Sequence, residues 1–129
     1  MNKSWKIWGF TLGAISVGLG ALGAHSLQPL LGEEKFRSFD TGVKYLMLHA
    51  ILMAALGIGS KTALPKTGFR LFLAGQFCFS GSIFLLSTRT LTGLEGLHYL
   101  WPVTPLGGLL LMAGWMYMAI CTIREKQTL

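Results

Sequence analysis

Six polar side chains lie within or at the ends of apolar stretches of the sequence, where polar groups are costly: His25, Tyr45, His49, Ser80, Ser82 and Thr104. Tyr45 and His49 are four residues apart, so they share one face of a helix. A serine near a histidine is the pairing used for nucleophilic hydrolysis. However, no carboxylate lies in the apolar stretches to orient a histidine, and no strand–turn–helix motif presents a serine. We therefore predict that the protein is not an enzyme.

Metal binding is the second chemistry that these side chains suggest. His25 and His49 offer imidazole ligands, and Met47 or Met53 offers a soft thioether ligand. Two histidines on separate helices are a weak metal pattern, and the two cysteines lack the paired spacing of zinc or iron–sulfur sites. We therefore predict neither a metal site nor a cofactor.

The elements that must position these residues are membrane helices. The chain has 129 residues, of which 52% are hydrophobic and 12% are charged, whereas a soluble domain carries about 25% charged residues. This composition excludes a conventional soluble enzyme, a disordered tail and a disulfide-stapled secreted module. Four apolar runs approach or exceed the length of about 20 residues that spans a bilayer. They predict an all-α bundle of four transmembrane helices, at about residues 7–25, 42–59, 69–87 and 103–123, in one domain covering residues 1–129.

The basic residues predict the orientation of these helices, because cytoplasmic loops are enriched in lysine and arginine. With the N-terminus inside, seven of the eleven basic residues lie on the cytoplasmic side: Lys3, Lys6, Lys61, Lys66, Arg70, Arg124 and Lys126. We therefore predict that both termini are cytoplasmic. The net charge of +6 is then explained by the enrichment of basic residues on the cytoplasmic side of the membrane. Nucleic-acid binding is not predicted, because the basic residues are scattered at helix ends and form no patch.

The first apolar run has a second interpretation as a cleaved signal peptide. It follows Lys3 and Lys6 and ends in small residues, as such peptides do. Its apolar stretch of about eighteen residues is longer than the usual apolar stretch of about 7–15 residues. We therefore favour a retained transmembrane helix.

Small residues predict where the helices pack, since close contact in a membrane needs side chains that let backbones approach. One stripe on the first helix comprises Gly9, Gly13, Ser16, Gly20 and Gly23. A second stripe on the same helix comprises Ala14, Gly18 and Ala21 and leads to His25. Comparable stripes on the third and fourth helices comprise Gly75, Cys78 and Ser82, and Gly107, Gly114 and Cys121. The two stripes predict that the first helix has close neighbours on both sides.

The polar residues are predicted to occupy the outer half of the bundle. His49, Ser80 and Ser82 each lie roughly 9–12 Å from the outer ends of their helices. His25 and Thr104 lie at that end of the first and fourth helices, where Thr104 is also predicted to cap its helix. A buried imidazole without a partner costs several kcal/mol. We therefore expect His49 to form a hydrogen bond with Ser80 or Ser82.

The outer connection at residues 32–39 supports two interpretations. Phe36 and Phe39 are three residues apart, with charged residues on the other faces. This pattern is typical of a short helix lying on the lipid headgroups. It equally fits a loop whose apolar residues pack against the bundle, and the sequence leaves both open.

Four motifs in order along the chain resemble a known family: residues 20–25, residues 41–45 followed by His49, residues 79–83, and residues 103–108 followed by Gly114 and Trp115. Together they closely resemble domain-of-unknown-function family 423, the YgdD-like small inner-membrane proteins with eukaryotic transmembrane relatives. The resemblance covers about residues 5–122. It implies a four-helix, multi-pass protein of the bacterial inner (plasma) membrane, and it brings no catalytic activity or cofactor with it.

Three functions compatible with these observations remain open. The leading hypothesis is a protein that binds a small molecule, a lipid or a partner through the polar residues of the outer half. The first alternative is a structural or assembly protein in which those residues only stabilise the bundle. The second alternative is a small transporter acting as an oligomer, because four helices are few for a conduit. The expected partners are the lipid bilayer and either another membrane protein or a second copy of the chain.

Overall fold

The protein folds as four long helices joined by short connections. The computed structural model describes residues 1–125, and within that range all regular secondary structure is helical. The helices are α1 (Lys3–Leu31), α2 (Glu33–Gly59), α3 (Lys66–Thr92) and α4 (Val103–Arg124). A short 3-10 helix, Glu95–Leu100, precedes α4. Lys126, one of the basic residues assigned to the cytoplasmic side, lies outside the described residues.

Two of the four helices contain a π-helical turn. In α1, the α-helical segments Lys3–Leu22 and Gln28–Leu31 flank a π turn at Gly23–Leu27. In α3, Lys66–Gln76 and Ser82–Thr92 flank a π turn at Phe77–Gly81. Hydrogen bonds in a π turn run from residue i to residue i+5, so each such turn rotates the faces of the helix that follows it.

The helices are long and apolar enough to cross a membrane, and they extend beyond the four predicted apolar runs. The largest difference is in α2, which begins at Glu33 rather than at residue 42. Residues 33–39 therefore belong to a transmembrane helix, so the prediction of a separate headgroup helix or loop is wrong. The expected packing of its apolar residues against the bundle is confirmed, since Phe39 is buried beside Gly23 of α1. Acidic residues stabilise a helix N-terminus, and Glu33 and Glu34 occupy the first turn. At 27 residues and about 1.5 Å per residue, α2 is about 40 Å long.

The helix ends define two ends of the bundle. The Gly32 end contains Gly32 and Gly93, whose positive φ angles of 76° and 72° terminate α1 and α3 in a conformation that favours glycine. The Pro65 end contains the N-terminus and the connection between α2 and α3. There the Asn2 side chain donates to the carbonyl of Thr62 and accepts from the backbone N–H of Leu64, both at 2.8 Å.

One small-residue stripe of α1 forms the contact with α2. A Cβ atom at Gly9 would overlap the backbone of Ala54, and Gly20 faces Val43. The second stripe does not have this role, because Ala14 and Gly18 are exposed. The prediction that α1 packs closely through both stripes is therefore wrong within this chain.

The stripes of α3 and α4 face each other. A Cβ atom at Gly107 would overlap the backbone of Cys78 and Phe79, and one at Gly75 would crowd Leu111. The packing role predicted for these two stripes is therefore confirmed at Gly75 and Gly107, and the structure shows that the stripes pack against each other. It places the start of α4 directly against the π turn of α3.

The centre of the bundle is filled by apolar side chains. Trp5, Met53, Phe72 and Leu111 form one buried cluster. The ring centroid of Trp5 lies 6.2 Å from that of Phe72, so α1 also contacts α3 towards the Pro65 end. A second cluster, which includes Leu12, joins α1 to α2.

Replacing Gly107 with alanine tests the backbone contact between α3 and α4. We expect Gly107→Ala to lower the free energy of unfolding by about 2 kcal/mol, because the added methyl group forces two backbones apart. Gly108→Ala is the matched control, since a Cβ atom there meets only the Phe79 ring at 3.7 Å. Reversible unfolding in mixed micelles, followed by circular dichroism, measures both variants. Equal effects of the two substitutions would contradict the close approach at Gly107.

Candidate functional site

The structure does not bring the six predicted residues into one pocket. His25 is exposed on the π turn of α1, and within residues 1–125 no hydrogen bond links it to the other five. Tyr45 is also exposed, and its ring packs against Phe79 with centroids 4.9 Å apart. His49, Ser80, Ser82 and Thr104 form hydrogen bonds between neighbouring helices, as described below. These bonds join different pairs of helices.

His49 is buried in α2 and uses both ring nitrogens. The indole N–H of Trp115 in α4 donates to Nε2 at 3.1 Å. Since Nε2 accepts, the ring proton lies on Nδ1, which donates to the carbonyl of Tyr45 at 2.7 Å. The expected hydrogen bond from His49 to Ser80 or Ser82 is therefore wrong. Spacing along the chain could not reveal Trp115 as the partner, because that depends on how α4 is rotated.

The two serines connect α3 to its neighbours on either side. Ser80 Oγ donates to the carbonyl of Gly42 in α2 at 2.8 Å. Ser82 Oγ and Thr104 Oγ1 of α4 are 2.5 Å apart, and Ser82 Oγ is also 3.0 Å from the carbonyl of Phe79. Helix α4 has no side-chain cap at its start. The Thr104 hydroxyl therefore joins two helices, and its predicted capping role is wrong.

Gln76 is a buried polar residue that was not among the six candidates. Its Nε2 lies 3.1 Å from the sulfur of Met53 and 3.2 Å from the carbonyl of Phe72. Its Oε1 has no hydrogen-bond partner among the residues that the structure describes. The side chain immediately precedes the π turn of α3. Within residues 1–125 no hydrogen bond joins it to any of the six candidate residues.

A separate polar cleft opens at the Gly32 end of the bundle. It has a volume of about 560 Å³ and lies between the start of α2, the end of α3 and the start of α4. Ile83 and Leu86 form its apolar surface. Its charged and hydroxyl-bearing side chains are Glu34, Lys35, Ser38, Thr41, Ser87, Arg89 and Thr104. Thr104 is the single member of the six candidates that lines this cleft.

The basic residues in the polar cleft differ in burial and in ion pairing from the other basic residues near this end. Arg37, whose side chain is 77% exposed, pairs with Glu33 at 2.9 Å. Lys44, whose side chain is 70% exposed, pairs with Asp40 at 2.8 Å. Lys35 and Arg89, in contrast, are half-buried. Among residues 1–125 neither of these two forms an ion pair, although Lys35 Nζ lies 3.3 Å from Thr90 Oγ1.

Ser87 is the most buried hydroxyl of the polar cleft. The residue is only 4% exposed, and its Oγ, which is not itself a buried atom, forms no hydrogen bond within the described part of the chain. Sequence reasoning missed Ser87 and Arg89, because they lie where the third apolar run gives way to a charged connection. The signal that could have found them is the continuation of α2 back to Glu33, which places Lys35 beside the end of α3.

Metal ligands are not grouped in the part of the chain that the structure describes. Within residues 1–125 no three histidine, cysteine, aspartate or glutamate side chains are close enough to hold a metal ion. His25 is exposed, whereas His49 is buried and already bonded through both nitrogens. The arrangement of these two histidines provides no basis for a metal centre.

Comparison with known proteins identifies the family. Residues 19–108 match the family described as a protein of unknown function, DUF423. The chain belongs to the DUF423 family. No solved structure matches it. As a DUF423 member with four helices that can span a bilayer, it is a multi-pass membrane protein.

Relatives of this DUF423 protein occur in bacteria and in fission yeast. The UPF0382 membrane protein SH2409 of Staphylococcus haemolyticus is 34% identical, with 95% of this chain and 97% of that protein covered. The UPF0382 membrane protein YwdK of Bacillus subtilis is 33% identical, with 95% of this chain and 98% of that protein covered. The UPF0382 membrane protein C1782.12c of Schizosaccharomyces pombe is 32% identical, with 90% of this chain and 98% of that protein covered. The DUF423 resemblance inferred from the four motifs is therefore confirmed.

A double-mutant cycle tests the bond between His49 and Trp115. We expect His49→Phe and Trp115→Phe to lower the free energy of unfolding with a coupling of about 1 kcal/mol, because each leaves a polar group of the other unpaired. Tyr45→Phe is the control, since within residues 1–125 the Tyr45 hydroxyl forms no hydrogen bond. Unfolding in mixed micelles measures the wild type, the two single variants, the double variant and the Tyr45→Phe control. Simple addition of the two single effects would contradict the bond.

Proposed function

We propose that this protein is a non-enzymatic, multi-pass protein of the bacterial inner (plasma) membrane that binds a small molecule, a lipid or a partner in the polar cleft. Both termini are cytoplasmic in this proposal, so the cleft faces the outer leaflet. The observation that carries it is the cleft itself, which combines a volume of about 560 Å³ with charged groups and with the hydroxyl of Ser87, which forms no hydrogen bond within residues 1–125. Ligand pockets typically measure about 300–1,000 Å³.

The hydrogen bonds of the buried polar residues support a binding role over catalysis. A nucleophilic serine must lie within hydrogen-bond reach of its base. Ser80 donates to Gly42 and Ser82 contacts Thr104, while His49 is bonded to Trp115 and Tyr45. These partners leave neither serine paired with His49.

The structural or assembly alternative draws on the same hydrogen bonds. The bond from Ser80 to Gly42 joins α3 to α2, and the Ser82–Thr104 bond joins α3 to α4. In this alternative these bonds hold the bundle, and the polar cleft stays empty. The transporter hypothesis has less support, because Met53 and Phe72 are fully buried in the apolar cluster that fills the bundle beyond the cleft.

The proposed orientation is testable by cysteine labelling in cells. We expect Ser38→Cys, introduced after Cys78→Ala and Cys121→Ala, to react with a membrane-impermeant maleimide in intact spheroplasts. Lys61→Cys at the Pro65 end is the matched control, and we expect it to react only after lysis. The labelled fraction of each protein is read from a gel. Labelling in the reverse order would place the polar cleft on the cytoplasmic side and contradict the proposal.

Occupation of the polar cleft is testable by blocking it. Ser38 is exposed and lies in the cleft lining, so Ser38→Trp should fill the opening without disturbing the core. We expect native mass spectrometry of the wild-type protein to show a retained membrane-derived molecule after detergent exchange, and Ser38→Trp to lose it. Ser26→Trp is the control, because Ser26 is exposed at the same end but outside the cleft. No retained molecule, or equal retention in both variants, would favour the structural alternative.

A further inference from the structure

We propose that the polar cleft binds the headgroup of a zwitterionic phospholipid, in which a phosphate is followed by a primary ammonium group. This inference rests on the proposed function and specifies its ligand. It is carried by the combination of charges in the cleft, by the Ser87 hydroxyl, which forms no hydrogen bond within residues 1–125, and by the aromatic side chains at the same end of the bundle.

The phosphate half of the headgroup matches Lys35 and Arg89. Of the four basic residues near the Gly32 end, Arg37 and Lys44 are exposed and neutralised by acids one helical turn away. Lys35 and Arg89 are half-buried without an ion pair in residues 1–125, and both line the cleft. A guanidinium and an ammonium that converge on one cavity are the groups that proteins use to hold phosphate.

The ammonium half of the headgroup matches Glu34. This carboxylate lines the same cleft as the two basic side chains and forms no ion pair within residues 1–125. A purely anionic headgroup would meet Glu34 as a like charge, which is unfavourable. A headgroup with a terminal ammonium instead brings its phosphate next to Lys35 and Arg89 and its ammonium next to Glu34. The charge pattern therefore favours a zwitterionic lipid over an anionic one.

Ser87 adds a neutral hydrogen-bond donor to the cleft. Its Oγ has no partner in the described chain although the residue is 4% exposed. The hydroxyl is therefore free to donate a hydrogen bond to a ligand oxygen. Phosphate and ester oxygens are acceptors of this kind. Ile83 and Leu86 beside it provide the apolar surface on which the first carbons of the lipid would lie.

The position of the cleft along the bundle agrees with a lipid headgroup. Tyr99 and Trp101 are exposed on the connection that leads into Thr104 of the cleft. Exposed tyrosine and tryptophan are enriched at the membrane–water interface, at the level of the headgroups. The aromatic side chains therefore place the cleft at the depth where the charged part of a phospholipid is found.

A second cavity at the Pro65 end provides an internal comparison. It also has a volume of about 560 Å³, and its basic residues Lys3, Lys66 and Arg70 are all exposed. Among residues 1–125, no acidic residue lines it. Any lipid attracted there would be selected for negative charge alone, so this cavity lacks the mixed charge pattern on which the proposal depends.

Competition between two lipids tests the headgroup assignment. The full-length protein, delipidated in detergent, is titrated with equal amounts of phosphatidylethanolamine and phosphatidylglycerol, and bound lipid is counted by native mass spectrometry. We expect roughly tenfold tighter binding of phosphatidylethanolamine at the first site filled, since one charge-assisted contact distinguishes the two headgroups. Soluble glycerophosphoethanolamine is added in a separate titration and should compete only weakly, because it lacks the acyl chains.

Substitutions assign the two halves of the headgroup to their residues. We expect Arg89→Gln to weaken binding of both lipids by roughly tenfold, because each carries a phosphate. Glu34→Gln should abolish the preference for phosphatidylethanolamine while leaving phosphatidylglycerol bound. Arg37→Gln outside the cleft and Arg70→Gln at the Pro65 end are the controls, and both should keep the wild-type preference. Circular dichroism melts establish that each variant is folded.

The contrary outcomes separate this inference from the proposed function. Equal binding of the two lipids, or a preference that survives Glu34→Gln, would overturn the zwitterionic headgroup. Glycerophosphoethanolamine binding as tightly as the lipid would overturn the lipid as its source. In each of these cases, loss of a retained molecule in Ser38→Trp would still support a ligand in the cleft. If neither lipid binds and wild type, Ser38→Trp and Ser26→Trp are indistinguishable, both proposals fail.

Discussion

Direct contact between helix backbones is the constraint on which the remaining structure depends. Apolar side chains gain no free energy by leaving lipid for one another, so membrane helices associate through packing and hydrogen bonds. Gly9 brings α1 against Ala54 of α2, and Gly107 brings α4 against the π turn of α3. Gly42 likewise brings α2 against Ile83 and Phe84 of α3, and there the Ser80 hydroxyl reaches the Gly42 carbonyl. A larger side chain at Gly107 would separate α3 from α4 and break the hydrogen bond between Ser82 and Thr104.

The polar residues consequently divide into two groups with different environments. Within the bundle, His49 and Ser80 find partners in neighbouring helices, which is what a medium without water demands of a polar group. At the Gly32 end, Lys35, Arg89 and Ser87 line the polar cleft, and within residues 1–125 the two basic side chains form no ion pair and the Ser87 hydroxyl forms no hydrogen bond. Bonds inside the chain satisfy the first group, whereas the second is the group for which we propose a ligand.

The sequence predicted the helices and two of their contacts better than it predicted the cleft. Apolar length indicated four spans, and the glycines indicated the contacts at Gly9 and Gly107, because both signals are local to one helix. The start of α2 was missed, since the charges after Gly32 are as typical of a headgroup loop as of a helix end. The partner of His49 and the lining of the cleft depend on how separate helices are rotated and on where they end. Residue spacing within one helix does not predict either property.

The unbroken course of α2 links the cleft to the thickness of the membrane. This helix carries Lys35 of the cleft at one end and continues for about 40 Å without a kink-forming proline to Gly59 at the other. A rigid rod of that length adapts to a thinner bilayer by tilting rather than by shortening. Tilting changes the height of the cleft relative to the phosphates while its internal geometry stays the same. Bilayer thickness therefore sets how deeply the cleft is immersed, independently of its affinity for any headgroup.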